Sequence, residues 1–508
     1  MQKFFYSSQG AVFISGILTF IAVSEINFML GWVCFVPLFI AVLNQSPREA
    51  FKSGFVFGLA VSMVGFYWMI PGAERFTGYT VFYGIGVFIL SCLFLSLYFA
   101  ALLYCISKIK MPHRQTNNYI VNGILAASIF CVGEYLLMFV SRGFPWFDFH
   151  AGNSLTANLY AIQSAAFFGV HALTFIVVLV NYILAYFITE KRWKKLFIPV
   201  AIVLLYQLAG YLILQDFENE MPRSKPFKVA VLAENIAPEI KWDDANGNAL
   251  VQKLLDLNRN AVPLKPDMIL WSESAIPWTY QPDDDLVNEV LKITAPAHLT
   301  HIMGINTAVT DNVVYNSAYC IDSTGKVTGR YDKQFLLSLI EKPINGALIP
   351  FFSSLGFIET NDKEHGAPLN TAYGKAGILI CNESTVPQAA AGMVKQGAQF
   401  LMNMSNDGWF NDTYIVGLHF YNARLRAVET RKDVVINCNN GISGLVQASG
   451  RIAGQQRDTE PFVKIVTVQP NNYSTLAISN PLIFIYCCAF FITGFIVISA
   501  IRKRNFKK

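Results

Sequence analysis

Apolar residues gather in long runs through residues 1–214, break into short runs over 215–478, and form one more long run near the end. A helix needs roughly 20 mainly apolar residues to cross about 30 Å of hydrocarbon. Eight stretches approach that length: Gly10–Val23, Phe28–Leu43, Gly54–Ile70, Thr80–Ile106, Tyr119–Val140, Leu159–Ile188, Phe197–Leu214 and Pro481–Ile501. The pattern predicts a polytopic α-helical membrane body of seven spans over 1–214, and an eighth span with a basic tail over 479–508. Residues 215–478 follow another rhythm. Short β-branched apolar runs at 227–236, 267–273, 301–309, 376–383, 398–407 and 433–440 read as buried strands. Helix-like stretches such as Ala249–Asn260, Asp284–Thr294 and Thr385–Gln396 lie between several of them, which predicts a layered α/β domain. Hairpins are expected at Asp322–Gly325 and Ala448–Gly450.

Composition sharpens this division. The chain is 53% hydrophobic and 14% charged, whereas soluble domains carry about 25% charged residues. A disordered chain, a collagen-like repeat and a disulfide-stapled mini-protein are excluded. The basic residues are one-sided. Lys3; Arg48 and Lys52; Lys108, Lys110 and Arg114; Lys191, Arg192, Lys194 and Lys195; and the tail from Arg502 to Lys508 occupy alternate connections, against only Arg75 and Arg142 in the opposite short loops. Positive residues beside spans stay in the cytoplasm. Both termini are therefore expected inside and residues 215–478 outside. The tail IRKRNFKK reads as an orientation anchor rather than a nucleic-acid patch, and segment 10–23 as a retained span rather than a cleaved signal. Of nine cysteines, Cys320, Cys381 and Cys438 fall in the outer domain. Three is odd, so at least one thiol there lacks an intradomain partner and is either buried or chemically useful.

Three residues stand where predicted strands end, the place from which layered sheets present reactive groups. Glu273 closes DMILWS, Cys381 closes GILI, and Lys333 follows the hairpin strand in GRYDKQ. Singly each is ordinary: a core thiol, a loop carboxylate, a surface ammonium. Together they supply a nucleophile, a base and a cation for the oxyanion of a tetrahedral intermediate, which is an acyl-transfer site.

In that chain order the three resemble the Glu-Lys-Cys triad of the nitrilase superfamily. With the membrane body, the whole chain is similar to its membrane-embedded branch, the bacterial apolipoprotein N-acyltransferases. Matching stretches are GFVFG at 54–58 with Tyr67 and Trp68, RGFPW at 142–146, ENI with Lys241 and Trp242, SNDGWF at 405–410, ARLRAVE at 423–429 and NNGISG at 439–444. The resemblance implies a polytopic α-helical membrane body plus an αββα nitrilase-like domain. It implies that an acyl chain passes from a phospholipid to the N-terminal α-amine of diacylglyceryl-cysteine apolipoproteins through a thioester on Cys381. Glu341 and Glu383 fall on the family's supporting glutamates. Trp242, Asn382 and Trp409, with Arg142 and Trp146, form the expected substrate-binding set. The implied place is the bacterial cytoplasmic (inner) membrane, multi-pass, with the catalytic domain facing the periplasm. No cofactor, metal or nucleic acid is called for.

Two departures keep a second reading open. Lys333 is followed by QFLLSLIE, which keeps Glu341 but loses the family's Pro, Phe and Gly, and Asn382 stands where the family usually has Tyr. A membrane-bound amidase, or an acyltransferase for another amine, is the alternative. A transporter or binding scaffold ranks last. The apolar stretches 335–340 and 344–358 are expected to form a lipid-facing lid. Arg142 with Phe144, Pro145 and Trp146 reads equally as a headgroup contact or an interfacial anchor. Glu134, a carboxylate inside the fifth span, needs a partner, for which Arg142 is the candidate. His419 reads as structural.

Overall fold

The computed structural model describes residues 8–71, 81–111, 118–220, 224–237, 240, 242–243, 245–311, 313–338, 341–342, 358–359, 364–410 and 413–505. The chain divides into a helical unit, Met1–Gln215 with Asn480–Lys508, and an α/β unit, Asp216–Ser479.

Among the described residues, five helices are long and apolar enough to cross a bilayer: Val81–Ile109, Asn118–Val140, Val170–Thr189, Trp193–Glu220 and Ile483–Ile501. The other three predicted spans are helical in different ways. Residues 8–24 form one helix of 17 residues. Residues 28–43 are broken into Phe28–Gly31 and Val36–Val42, the second with Pro37 in its first turn. Buried Asn181 tends the break, because its Nδ2 donates to the Gly31 carbonyl (2.9 Å) and its Oδ1 accepts from Phe35 N–H (2.9 Å). Pro47–Gly65 opens on a Ser46/Glu49 capping box and carries its charges in the first turns. The long sixth stretch is shorter than expected. Gly169, at φ 66°, ends a four-residue helix and the long one starts only at Val170.

Gly54 and Gly58 explain part of the GFVFG stretch. A Cβ on Gly58 would stand 2.6 Å from Ser96 Cα and 2.9 Å from the Leu95 carbonyl oxygen, and one on Gly54 would stand 2.7 Å from Ala100 Cα. Helix Pro47–Gly65 thus lies backbone to backbone on Val81–Ile109, the packing that membrane helices use when hydrophobicity cannot drive association.

In the α/β unit, one sheet contains β1 (Phe227–Ala233), β2 (Met268–Leu270), β3 (Ile276–Thr279), β4 (Thr300–Thr310), β5 (Val313–Tyr315), β6 (Ser317–Ile321), β7 (Val327–Asp332), β8 (Ile358–Glu359) and β14 (Phe462–Val468). The second contains β9 (Leu369–Thr371), β10 (Gly374–Ile380), β11 (Phe400–Asn406), β12 (Val434–Asn439) and β13 (Gly444–Val446), in the order β13-β12-β11-β10-β9. At the centre of each, strands run parallel: β1, β2 and β4 in the first, β10, β11 and β12 in the second.

The pleat sorts side chains into layers. Val229, Val231, Met268 and Leu270 pack against Ile378, Ile380, Phe400, Met402 and Met404 between the sheets. Their neighbours Ala230, Leu232, Ile269 and Trp271 face the other way, into a cluster with Leu254 and Leu257 of helix Gly247–Ala261 and Leu286 and Val290 of Asp285–Thr294. Ala389, Met393, Phe420 and Ala427, from Pro387–Lys395 and Ile415–Thr430, join the inter-sheet cluster from the far side. The result is an αββα sandwich. The chain closes on itself where it enters and leaves: β1 pairs antiparallel with β14 from Phe227↔Val468 to Ala233↔Phe462, and the Phe217 ring lies under the Arg431 guanidinium (4.2 Å) and edge-on to Tyr473 (5.2 Å).

Adding a branched side chain at the closest helix crossing tests it. Gly58→Val should lower the thermal midpoint of the detergent-solubilised protein, the cost being about 1–3 kcal/mol of overpacking, while Gly86→Val, where an added Cβ meets nothing within 4 Å, should leave it unchanged.

Candidate active site

The parallel strands end on one edge, and the expected triad forms there. Glu273 lies three residues beyond β2, Lys333 follows β7 directly, and Cys381 follows β10 at the start of the 3₁₀ turn Cys381–Thr385. The Lys333 backbone N–H donates to the Asn316 carbonyl (2.9 Å), fixing where its side chain starts. Its ammonium is fully buried and donates to Glu341 Oε1 at 2.6 Å and to Glu273 Oε1 at 3.5 Å. Glu273 also accepts from Asn316 Nδ2 (3.0 Å, Oε1) and from the Asn406 backbone N–H (3.1 Å, Oε2). Glu341 is held in turn by Leu337 N–H (2.8 Å).

Cys381 occupies the left-handed region at φ 54°, a conformation that costs a non-glycine residue and is retained where surrounding structure enforces it. Glu383 enforces it. Its carboxylate accepts from Ile380 N–H (2.8 Å), Gln334 N–H (2.7 Å), Phe335 N–H (3.0 Å) and the Tyr331 hydroxyl (2.9 Å). One buried carboxylate thereby joins the Cys381 turn to the segment that carries Lys333. Asn382 spans the same two segments, donating from Nδ2 to the Phe335 carbonyl at 3.0 Å. Its Oδ1 is buried and accepts no hydrogen bond among the described residues.

Burial pushes the Glu273 carboxyl above the usual range, with the Lys333 ammonium opposing the shift. It pushes the Cys381 thiol well up, and the charge on Glu273 raises it further while Lys333 pulls it back. The site at rest therefore holds a neutral thiol beside a basic carboxylate. That arrangement suits proton transfer during attack rather than a standing thiolate.

Other expected residues fall elsewhere or out of description. Trp242 packs edge-on against Trp278 (5.5 Å) in the helix-facing cluster. Trp409 belongs to the turn Gly408–Phe410, its side chain outside the described residues. Arg142 and Trp146 belong to the helical unit, where Trp146 meets Trp68 and Phe144 edge-on (6.5 and 5.4 Å). Most of the expected lid, 339–340 and 344–357, lies outside the described residues. Its described start packs inward: Phe335 lies on the inter-sheet core and Leu336 is buried. Glu134 is met by His150, Thr174 and Ala151 N–H, with His171 close by, rather than by Arg142. Arg142 lies more than two turns further along and past the end of the helix at Val140.

Three further groups surround the site without a sequence signal of their own. His419 Nδ1 pairs with Asp407 Oδ1 at 2.8 Å; burial pulls the imidazole down, but Asp407 more than offsets this and the net shift is upward. Asn316 is one of many polar residues in a loop-like stretch. Glu234 ends β1, accepts from Ser272 N–H (3.3 Å), leaves Oε2 without a partner among the described residues, and is pushed up to about 7 by burial.

Residues 15–183 match the family described as Apolipoprotein N-acyltransferase N-terminal domain, and residues 228–477 match Carbon-nitrogen hydrolase. The chain is 29% identical over 436 residues to the apolipoprotein N-acyltransferase of Geobacter metallireducens, covering 84% of this chain and 82% of that one. It is 25% identical over 516 residues to that of Wigglesworthia glossinidia brevipalpis, covering 96% and 98%. Among solved structures it resembles Saccharomyces cerevisiae Nit3, of the nitrilase superfamily, at 18% identity and a TM-score of 0.39, covering 49% of this chain and 92% of that one. A carbon-nitrogen hydrolase from Helicobacter pylori gives 15% and 0.38, covering 48% and 89%.

Glu234 provides a pH test of the fold around the site. Its folded pKa is raised, so the folded state holds a proton that the unfolded chain has lost, and stability is full below the unfolded value and falls as pH rises through about 7. The thermal midpoint of the wild type should decline between about pH 4.5 and 7, and Glu234→Gln should flatten that decline.

Proposed function

We propose, because this chain belongs to the apolipoprotein N-acyltransferase family, that Glu273, Lys333 and Cys381 transfer an acyl chain from a phospholipid to the N-terminal α-amine of a diacylglyceryl-cysteine lipoprotein. The observation that carries this reading is the fully buried Lys333 ammonium beside Glu273, with the Cys381 thiol near enough for the charge on that carboxylate to push it up.

In the first half-reaction, Cys381 Sγ attacks the phospholipid ester carbonyl as its proton passes to Glu273. The oxyanion forms against Lys333. Collapse breaks the ester C–O bond, Glu273 returns the proton to the leaving alkoxide, and a lysophospholipid departs from a Cys381 thioester. In the second, the acceptor amine attacks the thioester carbonyl, Glu273 takes a proton from nitrogen, and the thiol is regenerated as the amide forms. The Oδ1 of Asn382, which accepts no hydrogen bond among the described residues, is next to the nucleophile and is an acceptor for an N–H of the incoming amine. Glu341 and Glu383 act as positioning residues. Glu341 holds the ammonium, and Glu383 holds the turn that carries the thiol.

The one-sided basic residues support a cytoplasmic position for Arg192 and its lysine neighbours, with the α/β unit on the periplasmic side of a bacterial inner membrane. Reporter fusions after Lys195 and after Lys253 should register opposite compartments. Equal signals would refute that topology.

Purified protein incubated with phosphatidylethanolamine vesicles should gain the mass of one acyl chain on Cys381, and Cys381→Ala should gain none. Single-turnover release of lysophospholipid should fall by about 10²- to 10⁴-fold in Glu273→Gln and by about 10²- to 10³-fold in Lys333→Met. The double variant should lose far less than the product of the two. Normal release in Cys381→Ala would sink the assignment.

A further inference from the structure

Three groups of metal-ligand type converge in the helical unit, far apart in sequence and from three different segments. Glu134 lies in helix Asn118–Val140, His150 follows the turn Pro145–Phe147, and His171 is the second residue of Val170–Thr189. All three are buried. Glu134 Oε2 stands 3.2 Å from His150 Nδ1 and 3.8 Å from His171 Nδ1, and the three ligand atoms all lie within 4.8 Å of one another. A tetrahedral ion with bonds of about 2.0–2.1 Å keeps its ligand atoms roughly 3.4 Å apart along each edge. The two measured edges straddle that value.

The surroundings hold the ligands in place. Thr174 Oγ1 donates to Glu134 Oε2 (2.7 Å) and Ala151 N–H donates to Oε1 (2.9 Å), fixing the carboxylate as outer partners do in metal sites. Gly152 N–H donates to Thr174 Oγ1 at 3.0 Å. A Cβ on Gly152 would come within 2.7 Å of Thr174 N, Leu173 Cβ and the Val170 carbonyl oxygen, so the 151–155 turn lies flush on the first turn of Val170–Thr189. That contact delivers His150 to His171. A carboxylate within a span is costly without a countercharge. A divalent ion supplies that countercharge and takes the imidazoles as ligands.

We propose that Glu134, His150 and His171 form a His₂Glu site for a divalent transition-metal ion of the zinc type. Imidazole with one carboxylate suits zinc or cobalt rather than the hard cations magnesium and calcium, which prefer oxygen throughout. Three protein ligands leave the fourth tetrahedral position to water. The ion ties the loop after Phe147 to two helices of the bundle, a structural role separate from Cys381 chemistry.

Full-length protein without a histidine tag, stripped by a chelator in detergent, should bind one zinc per chain in competition with a chromophoric chelator. Cobalt should give the intense visible absorption of a tetrahedral site. His150→Ala and His171→Ala should each weaken binding by more than the roughly 10- to 100-fold that follows loss of an outer partner. His298→Ala, an exposed histidine of the α/β unit, should bind like wild type. Zinc should raise the thermal midpoint of wild type and not that of Glu134→Gln, a comparison that stands even if an alanine variant fails to fold. No stoichiometric zinc binding by wild type, or wild-type affinity in the His150→Ala/His171→Ala double variant, would overturn the proposal.

Discussion

An ammonium with no exposed surface, between two carboxylates, is the constraint around which the α/β unit is arranged. Removing Lys333 from water costs several kcal/mol unless partners return it. Glu341 at 2.6 Å does most of that, leaving Glu273 at 3.5 Å. The asymmetry matters chemically. Glu273 is near enough for its charge to be partly neutralised and far enough to retain its basicity, and burial adds to that basicity. Four groups must meet for this to happen: the end of β2, the end of β7, Glu341 with its Leu337 N–H partner, and the Asn406 amide at the end of β11.

The sandwich is what makes such a meeting repeatable. Parallel strands in both sheets release their chain at one edge, so groups from β2 and β10 arrive together although 108 positions separate Glu273 from Cys381. Glu383 then couples two of the arriving segments through bonds from three backbone amides and a phenol. Because the Ile380 amide and the Tyr331 hydroxyl are buried, loss of this carboxylate leaves them unsatisfied, a penalty of about 1–3 kcal/mol for each.

What the sequence reveals follows from how local each signal is. The six apolar runs each contain a strand, from Phe227–Ala233 to Val434–Asn439, since β-branched runs bounded by polar residues are a local pattern. Glu273 and Cys381 are visible for the same reason, at the ends of DMILWS and GILI, and Lys333 through the hairpin strand before it. Asn316, the Asn406 amide and the Tyr331 hydroxyl are not visible, because their roles exist only once distant strands are paired. Hydropathy over Leu159–Ile188 gives no hint that Gly169 breaks the helix, because a single left-handed residue hardly alters an average. Nearness along the chain suggested Arg142 for Glu134, whereas the fold supplies groups 16, 37 and 40 residues away: His150, His171 and Thr174.

The pairing of β1 with β14 has an architectural consequence. The α/β unit enters and leaves its own sheet through one doorway, with Phe217, Arg431 and Tyr473 clasped beside it. A catalytic module whose two ends are neighbours behaves as a cassette. It can be inserted between two helices of a pre-existing bundle, or exchanged for another sandwich with the same paired ends, without lengthening any span or redrawing the helix order around it.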